Sequence, residues 1–275
     1  MCRLNPKVDF VFKKLFGSEE NKDILISFIN SVLSKENQVK DIKLKNPYNL
    51  SSYIKGKMSI LDIKAVDEKG IWYDIEMQIA EQSFYDKRAL YYWAKVYSEQ
   101  IESGEDYFEL RKTISINILD FDYLEEEDFH NVYKIYNQKS KKEFSDLFEM
   151  HFIELSKFKK EYSEIKTALD RWSAFLCRAY EMEKGKIPKE IEVDESVKKA
   201  IEKLDTMYLE KEEREIYENE RKAMMVHKAE IKTAQIKGRE EGIKEVAKNL
   251  LDVLDNETIA IKTGLSVEEV NRLRS

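Results

Sequence analysis

Asp62, Glu76 and Gln78 are the residues of this chain whose types and spacing could do chemistry. Asp62 lies in Ser59-Ile60-Leu61-Asp62-Ile63-Lys64-Ala65, and the other two lie in Ile71-Trp72-Tyr73-Asp74-Ile75-Glu76-Met77-Gln78-Ile79. Two carboxylates that meet across neighbouring strands can hold one hard divalent cation through oxygen ligands. Both segments alternate apolar and polar residues with period two, the pattern of half-buried strands. Between them Asp67-Glu68-Lys69-Gly70 reads as a hairpin bend, a three-residue loop from Glu68 to Gly70 with Gly70 in the left-handed position. That loop pairs Asp67 with Ile71, which sets Lys64 opposite Asp74 and Asp62 opposite Glu76, with Cβ atoms about 4.5–5.5 Å apart. Asp74, Glu76 and Gln78 share this face because strand side chains repeat every second residue. Leu61, Ile63, Ile75, Met77 and Ile79 form the opposite, core-facing side. A merely solvated polar face is the alternative, but such a face mixes signs rather than aligning carboxylates.

An aspartate followed fourteen positions on by Glu-x-Gln resembles the PD-(D/E)XK nuclease core. The surrounding words resemble one branch of it, the Rpn-type recombination-promoting nucleases, also called the transposase-like PD-(D/E)XK family. They begin with Asn5-Pro6-Lys7-Val8-Asp9-Phe10-Val11-Phe12-Lys13-Lys14-Leu15-Phe16-Gly17 and Asp62-Ile63-Lys64-Ala65. Ile75-Glu76-Met77-Gln78 and Arg88-Ala89-Leu90-Tyr91-Tyr92-Trp93 follow, and Glu210-Lys211-Glu212-Glu213-Arg214-Glu215-Ile216-Tyr217-Glu218 stands far downstream. The resemblance spans nearly the whole chain. It implies an α/β, restriction-endonuclease-like core with a mixed central sheet, and a metal-dependent DNA endonuclease activity.

Within that resemblance Asp62 and Glu76 are the expected metal ligands and, with Gln78 and Lys64, the expected catalytic set. Hydrolysing a phosphodiester requires an activated water and neutralised phosphate charge, work that a divalent ion does as a Lewis acid. Magnesium is the expected ion because carboxylate-plus-water sites suit it, with manganese as the substitute. Gln78 stands where the wider superfamily has lysine. Its amide can orient water or donate to phosphate, but it brings no charge and cannot act as a base. Lys64, two residues along Asp62's face, is the expected replacement, and a cross-strand ion pair with Asp74 is the alternative. Asp9 on the first helix is a candidate supporting acid of the metal site, with pairing to Lys13 one turn on as its alternative. Arg88 and Lys95, on the helix after the hairpin, are candidate DNA-phosphate contacts. Tyr91, Tyr92 and Trp93 either stack on bases or, as is commoner for a helix covering a sheet, pack in the core. His130, His151 and His227 show no ligand spacing and take no role.

A net charge of −7 argues mildly against nucleic acid, since non-specific affinity rests on neutralising phosphates. The distribution softens this: residues 1–60 carry eleven Lys/Arg against six Asp/Glu, and Lys40, Lys43, Lys45, Lys55 and Lys57 lie just before the hairpin. A basic approach to an acidic centre suits a DNA partner; lysines in a solvated loop are the alternative. Cys2 and Cys177 are too few for a disulfide framework or a zinc site, which points to a reducing cytoplasm. The N-terminus carries Asp9 and several lysines and is no secretory signal, and no run approaches the roughly 18 apolar residues of a membrane span.

Helical periodicity marks residues 6–16, 21–33, 85–101 and 168–182, and alternation marks strands around Ile114–Ile118 and Phe148–Phe152. This order suits one nuclease core over residues 1–187, closing near Gly185-Lys186-Ile187-Pro188. Residues 188–249 read as a charged helical extension with i,i+4 pairs such as Glu210–Arg214 and Glu218–Lys222. Residues 250–275 read as a small helical hairpin, helix-turn-helix-like, with Ser266 and Glu269 as a capping box and Gly264 at the turn. Its second helix opens with Glu268 and Glu269, which repel phosphates, so packing is favoured over DNA reading. A homodimer is expected, because one centre cuts one strand. The rival function is a weakened or inactive nuclease fold serving as a DNA-binding or protein-interaction module.

Overall fold

The computed structural model describes residues 3–48, 50, 53, 63–81 and 83–274. Among them six strands form one sheet: β1 (Ile42–Leu44), β2 (Ile63–Asp67), β3 (Trp72–Gln78), β4 (Thr113–Leu119), β5 (His130–Tyr133) and β6 (Phe148–Glu154). They lie in the order β1-β2-β3-β4-β6-β5, a mixed sheet in which β3, β4 and β6 run parallel and the outer strands antiparallel. The hairpin has the expected register, with Lys64 opposite Asp74 and Ile63 opposite Ile75. Gly70 sits at φ +81°, and the Asp67 carboxylate accepts the amides of Lys69 and Ile71, both at 2.8 Å. β1 and β5, of three and four residues, are too short to show a period in the sequence.

The longer helices of the first part, among the described residues, are α1 (Asp9–Phe16), α2 (Lys22–Val32), α3 (Tyr85–Ser98), α4 (Ala168–Arg178) and α5 (Glu195–Thr206). α3 supplies the crossover between parallel β3 and β4, as a parallel pair requires. Phe16, Phe28, Trp172 and Phe175 from α1, α2 and α4 meet with ring centroids 5.5–6.4 Å apart. Gly17 ends α1 against the sheet: a Cβ there would meet Lys13 O at 2.7 Å and stand 3.8 Å from Ile63 Cγ1.

The expected core boundary at residue 187 falls inside the first compact unit, which is Met1–Arg221. α5 is not an exposed strut. It is capped by Asp194 and buries Val197, Ala200, Ile201 and Leu204, a stripe at i, i+3, i+4 and i+7. Asp205 then takes a two-pronged ion pair from Arg3 at 2.7 Å, and the amide of Asn5 donates to Tyr217 Oη at 3.2 Å. These contacts stitch the chain's beginning to residues that charge content alone assigns to an extension.

The second unit is Lys222–Ser275. A long helix α6 (Lys211–Leu250) leads into it, followed by α7 (Asn256–Thr263) and α8 (Val267–Arg274). Ala247, Ile259, Ala260 and Val270 make its small core. The capping box is present: Ser266 N donates to Glu269 Oε2 at 2.8 Å and Glu269 N to Ser266 Oγ at 3.2 Å. Gly264 takes the left-handed position at φ +78°.

Candidate active site

The alternation of β3 puts Asp74, Glu76 and Gln78 on the sheet face that α3 covers. Parallel pairing with β4 sets Asp74 beside Ser115, Glu76 beside Asn117 and Gln78 beside Leu119. Asp74 and Glu76 are buried, at 0% and 2% exposure, so this polar strip is enclosed rather than solvated. Asn117 donates to Ser115 Oγ at 3.1 Å and to His151 O at 3.2 Å, and accepts from Tyr85 Oη at 3.0 Å. α3 buries Tyr85, Ala89 and Val96, and the indole of Trp93 donates to Thr113 O at 2.9 Å.

That seating aims Arg88, three residues after Tyr85, along the strip. Its Nη1 donates to Gln78 Oε1 at 2.8 Å and its Nη2 stands 3.7 Å from Glu76 Oε2. The guanidinium also lies 5.1 Å from the Tyr92 ring centroid. A cation thus reaches the position where Gln78 brings none. Behind it, the amide of Asp120 donates to Gln78 O at 3.0 Å, and the buried Lys7 pairs with Asp120 at 2.8 Å.

The other expected residues are placed as follows. Asp62 lies outside the described residues. Lys64 stands opposite Asp74 in register, yet its ammonium pairs with Glu99 and lies 5.7 Å from the Trp72 ring centroid. Lys95, on the outer side of α3, is 4.0 Å from the same Glu99. Asp9 pairs with Lys13 at 3.1 Å, its expected alternative, and accepts from Tyr53 Oη at 2.8 Å. Tyr53 also bonds Glu220, whose other oxygen accepts the Phe10 amide at 2.9 Å. Burial, and next the charge of Asp9, push the Tyr53 phenol far above its usual range. Burial also raises the Glu220 carboxyl, against the Tyr53 hydrogen bond.

Sequence spacing missed a second polar cluster, on the other face of the sheet. His151 Nε2 meets Glu149 Oε1 at 2.8 Å, and His130 Nε2 meets His151 Nδ1 at 2.9 Å. With His151 donating to the carboxylate, its Nδ1 is left to accept from His130. Lys112 and Lys134 pair with Glu149 at 2.5 and 3.6 Å. Burial, then the neighbouring His151, depress His130 to about 4. Burial would raise Glu149, but hydrogen bonds from His151 and Lys112 outweigh it and bring it to about 2.

Among the described residues no group of three or more His, Cys, Asp or Glu is placed to hold a metal ion. The hard oxygens of Asp74 and Glu76 are nonetheless the donor type a divalent cation takes, and a full ligand set there would draw on Asp62. The described part fits such an ion in donor chemistry. No helix among the described residues is long and apolar enough to cross a membrane.

A family model described as PD-(D/E)XK nuclease family transposase matches residues 6–234, and the chain belongs to that family. No curated protein and no solved structure matches it. The six-stranded mixed sheet with flanking helices agrees with the family's α/β fold, and nucleases of this kind generally use divalent metal ions.

Proposed function

We propose that this PD-(D/E)XK family member hydrolyses phosphodiester bonds in DNA as a metal-dependent endonuclease of the recombination-promoting type. The observation that carries the reading is Arg88 laid along Glu76 and Gln78, which returns a positive charge to a motif that has exchanged its lysine for glutamine. Asp62 and Glu76 would hold the ion, magnesium by default and manganese as substitute. When bound, it supplies Lewis-acid neutralisation of the phosphate and activation of water. Arg88 would steady Glu76 and hold the Gln78 amide by its oxygen; Gln78 Nε2 gives one hydrogen to Ala80 O at 3.1 Å, which leaves its second N–H as the donor toward phosphate or water. The protein would work in the cytoplasm, and a homodimer would supply the second centre that duplex cutting needs.

The test is cleavage of supercoiled plasmid with magnesium or manganese against EDTA, using the parent chain and Asp62→Asn. Metal-dependent nicking by the parent, abolished in the variant, is the expected result. The second reading, a fold kept for binding alone, draws on the 2% exposure of Glu76 beside a guanidinium. DNA binding without cleavage under any metal would select it.

A further inference from the structure

α3 and its N-cap Phe84 carry a stripe of rings and cations that meets the proposed hydrolytic site at Arg88. Phe84, Lys87, Arg88, Tyr91 and Lys95 recur at i, i+3, i+4, i+7 and i+11, so they line one helix face. The buried residues Tyr85, Ala89 and Val96 occupy a separate side of the helix, roughly a third of a turn round. Phe84 and Tyr91 leave 66% and 64% of their surface in water, although large rings gain by burial. Each has a cation or ring beside it: Lys87 Nζ lies 4.7 Å from the Phe84 centroid, and the Tyr91 and Tyr92 rings are 5.7 Å apart. The stripe continues past Lys95 and Glu99 to Lys64, then to the Trp72 ring, over which Lys45 sits at 4.7 Å. From Phe84 to Lys95 the helix rises about 17 Å. Its middle residue, Arg88, is the one that touches Glu76 and Gln78.

Alternating cations and exposed rings along a track are what a strand with unstacked bases requires: ammonium groups follow the phosphates, and each base offers a π-face to a ring. Paired bases offer none, since the duplex already stacks them. Asp86, within the same helix, is turned to Tyr123, which donates to it at 2.7 Å, Glu99 is shared by Lys64 and Lys95, and Glu76 is met by Arg88 at 3.7 Å. Positive charge therefore dominates the path. We infer that α3 is a binding track for unpaired single-stranded DNA, with Phe84 and Tyr91 as stacking platforms that deliver the strand to Glu76. The inference rests on the proposed nuclease site only for the track's destination.

Fluorescence anisotropy of the full chain in EDTA tests it, using a fluorescein-labelled oligonucleotide alone and annealed to its complement. The parent should hold the single strand more tightly than the duplex. Phe84→Ala and Tyr91→Ala should each weaken single-strand binding about 5- to 150-fold while leaving duplex binding unchanged. Leu90→Ala, an exposed apolar residue off the stripe, should change neither. Unchanged single-strand affinity in both ring variants, or equal losses on both DNA forms, would overturn the track. Separate cleavage assays with magnesium keep the two readings apart. Ring-dependent binding without cleavage leaves the track standing and removes the nuclease, and cleavage with ring-independent binding does the reverse.

Discussion

Two acidic clusters share one sheet and lie on opposite faces of it. On the far face Glu149 is hydrogen-bonded to His151 and paired with Lys112 and Lys134, and His151 is in turn joined to His130. Buried charges compensated so fully serve the fold, because any group removed leaves a partner without one. On the α3 face Glu76 sits two residues from Asp74, and Arg88 approaches it at 3.7 Å while forming its 2.8 Å bond with Gln78. Burial is similar, but the second arrangement keeps carboxylate oxygens of a kind that bind a cation beside a helix studded with exposed rings and lysines. Burial of an acid therefore says little about its task; the identity of its partners says more.

The widest separation of the two clusters should come from matched amide substitutions. Glu76→Gln is expected to lower metal-dependent plasmid cleavage at least 10³-fold, about 4 kcal/mol in barrier. Glu149→Gln should keep cleavage within about threefold but lower unfolding free energy by about 3 kcal/mol, measured by urea titration, as the lysines and His151 lose their carboxylate. A destabilised Glu149→Gln protein with wild-type rate, beside a stable but inactive Glu76→Gln protein, is the expected pair. The opposite pattern would exchange the roles of the two faces.

Arg88 sharpens the contrast from the α3 side. Arg88→Met is expected to lower the rate on the order of 10²-fold, the usual cost of removing a preorganised donor. Gln78→Lys should recover part of that loss, because the new ammonium would enter the position the guanidinium now serves. A double variant no faster than Arg88→Met alone would mean that Arg88 acts only by seating α3 on the strand.

The hairpin was legible in the sequence because its information is local: alternation, a four-residue bend and one glycine suffice to set Lys64 opposite Asp74. What local pattern cannot supply is the third dimension. Arg88 reaches Gln78 only because Tyr85 and Ala89 bury beneath α3, and Lys64 finds Glu99 only because that helix ends beside β2. The histidine pair is invisible for the same reason, since His130 and His151 sit on neighbouring strands with no fixed spacing between them. The placement of α5 is open in the sequence for a different reason. Val197, Ala200, Ile201 and Leu204 have the spacing of a buried face, but the surrounding lysines and glutamates dominate the composition. Asp62, on which the metal reading leans hardest, lies outside the described residues.

Acid should expose the far cluster. His130 is held at about 4 against its ordinary 6.5, so the unfolded chain takes up that proton first. Its stabilising contribution is complete above pH 6.5 and is lost as pH falls from 6.5 to about 4. Glu149, at about 2 against 4.5, behaves alike at lower pH: its contribution is complete above 4.5 and is lost toward 2. Stability followed by urea titration should therefore decline across both windows. His130→Gln should flatten the upper window by an amount on the order of 2 kcal/mol and leave the lower one. An unchanged upper slope would show that His130 titrates normally and that the pair does not stabilise the fold.

The smallest expected effect is at Lys64, and it decides which residue has taken the place of the superfamily lysine. Lys64 shares the sheet face of Glu76, but its ammonium is engaged by Glu99, whose side chain is partly exposed. Such a surface pair is worth about 0.2–1 kcal/mol, and its loss touches no group at the proposed centre. Lys64→Ala should thus leave the cleavage rate within about threefold, with a stability change no larger than that pair. A loss on the order of 10² or more would place Lys64 among the positioned acid–base or charge-stabilising groups. It would mean that the Glu99 pair breaks when substrate arrives, and Arg88 would then be a brace for Gln78 rather than the returned charge. A small effect at Lys64 combined with a large one at Arg88 leaves the helix, not the hairpin, as the source of the cation that the β3 motif lacks.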